Sequence, residues 1–460
     1  MDIARKLELL ADAAKYDVAC TSSGVNRSGK KGQLGSATQA GCCHSFTPDG
    51  RCVTLLKVLM TNACTCDCAY CVNRVSNRSI ERTAFTPREL VDLTIGFYRR
   101  NFIEGLFLSS GVAGNPDNTT ELMIRALEIL RHEYGFRGYI HAKAIPGASP
   151  ELLDALGRLA DRISVNIELP SSGSLEALCP EKRAGTVLSP MRQIRDTMER
   201  ERLLGATGPG YLGGGSHLST VRPDLPPAPR GLPGARGGLR RRGGRKPGAP
   251  APFAPAGQST QLIVGASPED DNRILKLSSS LYSTYGLKRV FFSAYMPVVE
   301  DGRLPHPETP VPLRREHRLY QADWLMRFYG FTADELVSPE APFLDLDVDP
   351  KLAWALAHID EFPVEVNTAT KEELLRVPGI GPEGARKICR ARRSHHLGFD
   401  DLERLRLTLR RARHFLTCGG KRDPRSPADP ELIREKVVSD ARGSRYNRTR
   451  RATEGQLALF

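Results

Sequence analysis

The chain has 460 residues, of which 40% are hydrophobic and 26% charged, and a formal net charge of +13. That length allows two or three domains with separate cores, and no apolar run approaches the twenty or so residues that span a bilayer, which excludes a helical membrane protein. Eleven cysteines behind a charged, amphipathic N-terminus, with no export or targeting signal, predict a cytoplasmic, reducing setting in which thiols bind metal.

The positive excess points to a polyanionic partner. Eight Lys/Arg against one Asp between Arg222 and Lys246 account for seven of those thirteen charges. Much of the remainder gathers in the last quarter of the chain, so a nucleic-acid partner is expected there.

Residues 1–52 read as an N-terminal extension. The apolar run 53–60 then leads directly into Cys64-Thr65-Cys66-Asp67-Cys68-Ala69-Tyr70-Cys71. Thiolates of Cys64, Cys68 and Cys71, spaced C-x3-C-x2-C, can hold three irons of a 4Fe-4S cluster and leave the fourth without a protein ligand. An open metal position generally serves chemistry. The alternative is a zinc knuckle using Cys64, Cys66, Cys68 and Cys71. Its crowded alternate positions suit a tetrahedral site poorly, because zinc pairs usually stand well apart. On the cluster reading Cys66 is a surplus thiol.

From 85 to 297, short apolar runs at 105–108, 138–141, 162–169, 261–264 and 289–295 alternate with helical patterns. Helix starts are marked by Thr86-Pro87-Arg88-Glu89, Ser149-Pro150-Glu151 and Ser267-Pro268-Glu269-Asp270, each a hydroxyl N-cap with Pro at N1 and an acid in the first turn. Alternation of this kind predicts an α/β fold, a partial parallel barrel over 53–335 with its active site at the strand C-termini. The stretch 205–252 departs from that pattern. Its runs 223–231 and 237–245 are nearly all Gly, Pro, Arg and Ala, and it reads as a disordered insert, either a basic linker or out-of-frame translation of a GC-rich gene. Beyond the barrel, 315–325 reads as an amphipathic helix.

A small all-α domain is predicted over 340–422. Thr370 and Glu373 form a capping box, Pro378-Gly379 ends one helix, and a second begins near Pro382. The glycines of Gly379-Ile380-Gly381 leave backbone N–H groups bare to a phosphate, and the following helix aims its positive end the same way. This resembles the helix-hairpin-helix module, which grips DNA backbone without reading sequence. Arg386, Lys387, Arg390, Arg392 and Arg393 follow as candidate phosphate contacts, and Arg404, Arg406, Arg410, Arg411 and Arg413 as a basic face. The basic tail 423–460 ends in Gln456-Leu457-Ala458-Leu459-Phe460, which resembles the pentapeptide by which bacterial replication and repair proteins dock on the sliding clamp.

With Tyr70 just before the last cysteine, the loop resembles the signature of the radical SAM superfamily. Over residues 16–199 and 253–421 the chain resembles a bacterial family described as putative DNA modification or repair radical SAM proteins. Further support comes from Gly105-Leu106-Phe107-Leu108-Ser109-Ser110-Gly111, Ala144-Ile145-Pro146-Gly147-Ala148-Ser149 and Ser164-Val165-Asn166-Ile167-Glu168-Leu169-Pro170. The resemblance implies a 4Fe-4S cluster on Cys64, Cys68 and Cys71, S-adenosyl-L-methionine as cosubstrate, a flavodoxin or ferredoxin as electron donor, and DNA as the molecule acted on.

Cofactor contacts are implied at Tyr70, at the turn Ser109-Ser110-Gly111 and at Gly265, although the turn lacks the acid of the superfamily's Gly-Gly-Glu. Asn166 and Glu168 alternate with Val165 and Ile167 and so share one strand face. They read either as ribose ligands or as a buried hydrogen-bonded pair. His141 and Lys143 are candidate substrate contacts, and Cys20, Cys43, Cys52 and Cys418 candidate ligands of an auxiliary cluster. Rival readings are an RNA-modifying radical SAM enzyme, or a DNA-binding protein whose cysteines hold a structural zinc or Fe-S site.

Overall fold

The computed structural model describes residues 1–14, 42–46, 52–206, 252–427 and 429–443. The segment 207–251, which holds most of the low-complexity stretch, lies outside the described residues, as do Cys20 and the C-terminal pentapeptide. The chain packs into two units, residues 1–269 with 280–312 and residues 270–279 with 313–460.

The first unit is built on one seven-stranded sheet. Its strands are β1 (Cys42–Phe46), β2 (Cys52–Leu59), β3 (Gly105–Ser109), β4 (Tyr139–Lys143), β5 (Arg162–Ser164), β6 (Gln258–Val264) and β7 (Arg289–Ala294), neighbours in that order. β2 through β7 run parallel, whereas β1 is antiparallel to β2, with Cys43 opposite Leu55. Six parallel strands in sequential order, joined by helices, form an open half-barrel whose strand C-termini share one edge. The helices are α1 (Ile3–Ala13), α2 (Pro87–Arg99), α3 (Pro116–Glu128), α4 (Pro150–Leu159), α5 (Ser172–Leu178), α6 (Ala184–Ala206) and α7 (Asp271–Tyr285), the last shared with the second unit. Strands such as β3 are buried along their whole length, as a parallel sheet covered on both faces requires.

Helix α2 starts as read, with Glu89 N–H donating to Thr86 Oγ1 at 3.2 Å and Thr86 N–H to Glu89 Oε2 at 2.8 Å. Two other readings need correction. Ser149 precedes α4, but its side chain makes no capping bond. The start read at Ser267 is displaced to Asp271, capped by Asp270 Oδ1, which accepts from Arg273 N–H at 2.8 Å, while the Glu269 carboxylate accepts from the hydroxyls of Ser171 and Ser174, before and on α5.

The second unit carries α8 (Leu313–Phe328), α9 (Ala333–Leu336), α10 (Pro350–Ala357), α11 (Lys371–Arg376), α12 (Pro382–Ala391), α13 (Phe399–Arg404), α14 (Leu409–Ala412) and α15 (Pro430–Gly443). It is not wholly helical. Strands β8 (Val364–Glu365), β9 (Leu416–Cys418) and β10 (Lys421–Arg422) form a small sheet, β8 parallel and β10 antiparallel to β9. Its core joins Phe331 edge-on to Trp354 at 5.3 Å and Phe362 edge-on to Phe415 at 5.1 Å. Aromatic pairs of this geometry add to the area term of burial. No helix among the described residues is long and apolar enough to cross a membrane.

Candidate functional site

The cysteine loop leaves the C-terminal end of β2 and is fastened to the turn that follows β3. Met60 N–H donates to Ser109 O at 2.7 Å, Gly111 N–H to Thr61 O at 2.8 Å and Thr65 N–H to Val112 O at 2.9 Å. The approach is close enough that a Cβ on Gly111 would meet Ala63 O at 2.8 Å. Ser110 Oγ donates to Gly111 O, and Ser109 is buried. In this structure the turn Ser109-Ser110-Gly111 is therefore a dock for the loop's backbone.

A residue with no sequence signal closes the loop. The Arg82 guanidinium donates to the carbonyls of Asn62, Asn73 (2.8 Å), Arg74 (2.7 Å) and Asn77 (2.9 Å). Asn62 backs it, with Nδ2 donating to Glu81 O at 2.8 Å and Oδ1 accepting from Thr83 N–H at 2.8 Å. Bonds from a charged donor are each worth about 1.5–3 kcal/mol. Arg82→Ala is accordingly expected to speed amide hydrogen exchange over 62–77 by more than tenfold while leaving exchange in α2 unchanged. Unaltered exchange would show that the loop holds itself.

Within the loop the thiols divide by charge. Cys64 Sγ accepts from the Cys66 thiol and from Val112 N–H, which hold it down to about 5 while Cys66 is pushed up. Cys68 is lowered by the thiol of Cys179, at the end of α5, whose Sγ lies 2.9 Å away. Burial pushes Cys71 up to about 12. Cys68 and Ala69 pack in an apolar cluster with Leu169, Leu175, Leu178 and Tyr295, so the loop sits against α5 and the ends of β6 and β7. No three His, Cys, Asp or Glu side chains converge on a single ion position among the described residues.

Beyond β5 the strand geometry expected over 162–169 stops at Ser164. Glu168 bridges Leu262 of β6 with φ +64°, a left-handed backbone that costs a non-glycine residue on the order of 1–3 kcal/mol. Simple alternation of Asn166 and Glu168 on one face is thus replaced by a kink, although both side chains are buried. The Glu168 carboxylate is met by Lys182 Nζ at 2.9 Å. Burial opposes the charge on Lys182, but the Glu168 carboxylate beside it holds the ammonium well above the usual lysine range. Burial, then the Glu168 charge, raise the Tyr70 phenol far above its usual value. The Tyr70 hydroxyl and Asn166 Nδ2 are buried without a hydrogen-bond partner among the described residues. Buried polar groups seldom stay unpaired, so each suits a polar ligand.

Gly265 follows β6 with φ +85°, where a Cβ would meet Pro312 Cγ at 2.8 Å. His141 on β4 is buried edge-on against Phe107 at 4.5 Å, and Lys143 closes the same strand. Gly265 and Lys143 belong to the C-terminal edge of the sheet, whereas His141 is the middle residue of β4. Of the proposed auxiliary ligands, Cys20 and the side chains of Cys43 and Cys52 lie outside the described residues, and Cys418 is buried in the second unit, its thiol pushed up to about 12 by burial.

In the second unit α11 and α12 enclose the hairpin 377–381. The capping box is formed, with Glu373 N–H on Thr370 Oγ1 at 3.1 Å and Thr370 N–H on Glu373 Oε2 at 2.6 Å. Gly379 adopts φ +90°, and a Cβ there would lie 3.3 Å from both Thr408 O and Ala412 N, so the hairpin lies against α14. Ile380 is buried, whereas Gly381 forms the N-cap of α12. Arg386 is exposed on α12, its Nε donating back to Pro382 O at 3.3 Å. Lys387 Nζ donates to Leu405 O at 3.2 Å, and Arg392 donates to Val366 O at 3.0 Å.

Lys351, on α10, supports the hairpin from inside by donating to Ile380 O at 2.6 Å. Burial pulls its pKa down to about 7, against the attraction of Asp349. An unfolded lysine titrates near 10.4, so between these values the unfolded chain binds the extra proton and raising the pH favours the fold. Both tryptophans, Trp324 and Trp354, lie in this unit, so tryptophan fluorescence reads its unfolding alone. Urea stability read this way is expected to rise by about 2 kcal/mol from pH 7 to 9.5, and much less in Lys351→Met. Equal slopes in the two proteins would refute this role.

Residues 361–410 match the family model of the helix-hairpin-helix motif. No curated protein matches the chain in sequence. Among solved structures, the chain is similar to HydG, a maturase of the FeFe-hydrogenase, at 12% identity and a TM-score of 0.36, over 58% of this chain and 48% of that one. The HydG of Carboxydothermus hydrogenoformans gives the same identity, the same TM-score and the same share of this chain, over 50% of its own. The chain thus spans about half the length of the maturases it matches.

Proposed function

We propose that this chain is a radical SAM enzyme that acts on DNA. The carrying observation is the spaced cysteine loop at the C-terminal end of β2, fastened by its backbone to the turn after β3, with Cys68 buried in an apolar cluster and Cys71 packed against it. Cys64, Cys68 and Cys71 would hold a 4Fe-4S cluster; Cys66, pushed toward the protonated thiol, serves as a hydrogen-bond donor to Cys64. Bound with S-adenosylmethionine, such a cluster would supply the electron for reductive cleavage of the sulfonium.

The chain's own residues orient and insulate that chemistry. Arg82 fixes the loop, and Leu169, Leu175 and Leu178 keep water from it. Asn166 Nδ2 and the Tyr70 hydroxyl would bind the cosubstrate's polar groups, with Glu168 held in position by Lys182. A helix-hairpin-helix motif anchors flanking phosphates without selecting sequence. A base attacked at the edge of a half-barrel has to be flipped out or already single-stranded.

The reading is tested by incubating anaerobically reconstituted protein with S-adenosylmethionine, a low-potential reductant and defined oligonucleotides, then digesting these to nucleosides for mass spectrometry. A mass change in DNA but not in RNA of the same sequence is expected. A change confined to RNA, or none in either, would overturn it.

A further inference from the structure

At the C-terminal end of the matched motif, whose last residue is Arg410, the second unit holds a cleft of about 530 Å³ lined by Arg410, Arg413, His414, Arg425 and Lys436. We propose that it is a second phosphate-binding site, taking a phosphate of a nucleic-acid strand independently of the Gly379–Gly381 hairpin. The proposal rests on the nucleic-acid reading above.

The lining is preorganised. Asp423, 2% exposed, accepts from Arg425 Nε at 2.9 Å and Nη2 at 2.8 Å and lies 3.4 Å from Arg413 Nη1. One buried carboxylate thus holds two guanidinia side by side without discharging both, and Glu403 reaches Arg425 only at 4.0 Å. Lys436 Nζ donates to a carbonyl, Arg425 O, at 2.6 Å. His414 is fixed beside them, its Nδ1 2.9 Å from Ser426 Oγ. Neighbouring cations repel one another, and a multivalent oxyanion relieves that repulsion while accepting from the guanidinium forks. Ordering costs of these long side chains are largely met before binding.

Phosphate is favoured over an acidic peptide because the cleft continues from the hairpin. Gly379 lies against α14, and α14 with its C-cap supplies Arg410 and Arg413.

The test uses the full chain, a fluorescent duplex and a salt series read by anisotropy. Arg425→Gln/Lys436→Gln is the variant of choice, since Gln at 425 can still donate to Asp423 and the backbone N–H of residue 425 stays on that carboxylate. Affinity is expected to fall about tenfold, and the slope of log K against log salt by about two, one per lost contact, with tryptophan unfolding unchanged. Lys371→Gln/Arg314→Gln removes the same charge from the same unit elsewhere and should shift the slope by less than half as much. An unchanged slope in the cleft variant, or an equal shift in the control, would overturn the site. Comparing 5′-phosphorylated with unphosphorylated duplexes tells a strand end from an internal phosphate. If the wild type binds no DNA, the parent reading fails, and calorimetry with inorganic pyrophosphate decides the cleft. Binding lost in Arg425→Gln/Lys436→Gln upholds an oxyanion site, whereas no binding, or tighter binding of a polyglutamate peptide, rejects it.

Discussion

Cys68→Ala protein, reconstituted anaerobically, is expected to hold background iron and sulfide and to form no 5′-deoxyadenosine, while binding duplex DNA as the wild type does. Cys68 is the middle thiol of the three, 5% exposed, and its thiolate is favoured by the Cys179 thiol 2.9 Å away. Cubane ligands act as a set, so loss of one is felt as loss of the cluster. The side chain is small and the core of the second unit contains none of this loop, so tryptophan unfolding should not move. Cys66→Ala provides the contrast, and its cluster should survive. Equal damage from both substitutions would mean that all four thiols of the loop are ligands, as in a zinc knuckle.

Gly381→Asp should weaken duplex binding at least tenfold, about 1.4 kcal/mol, without weakening the fold. Gly381 is the N-cap of α12 with an ordinary φ of −101°, and a Cβ there would meet only the Tyr329 hydroxyl, at 3.2 Å. Asp is a favoured N-cap, so urea stability should hold or rise by a few tenths of a kcal/mol. The same carboxylate occupies the place offered to a phosphate and repels it. Loss of affinity with retained stability separates a phosphate grip from a packing hairpin. A stable variant that binds DNA as before would assign the hairpin to packing alone.

Local chemistry was legible in the sequence where partners lie three residues apart. The capping boxes Thr86/Glu89 and Thr370/Glu373 are both formed, and the alternation of apolar runs with helices becomes a parallel sheet in chain order. What escaped the sequence depends on partners brought together only by folding. The Glu269 carboxylate accepts from Ser171 and Ser174, nearly a hundred positions earlier. Cys179 reaches Cys68 across 111 positions, and Arg82 spends its guanidinium on carbonyls, which leave no mark in a sequence. Lys182 and Lys351 look like surface lysines until the sheet and the hairpin bury them. Strand β1 was hidden in what read as an N-terminal extension, because its pairing with β2 is made by backbone.

The central claim is an iron–sulfur cluster with one open corner at residues 64–71, and metal analysis of anaerobically purified, reconstituted full-length chain addresses it most directly. About four irons and four sulfides per chain, with 5′-deoxyadenosine released on adding S-adenosylmethionine and a reductant, is the predicted result. One tightly held zinc per chain, no inorganic sulfide and no cleavage of the sulfonium would contradict it.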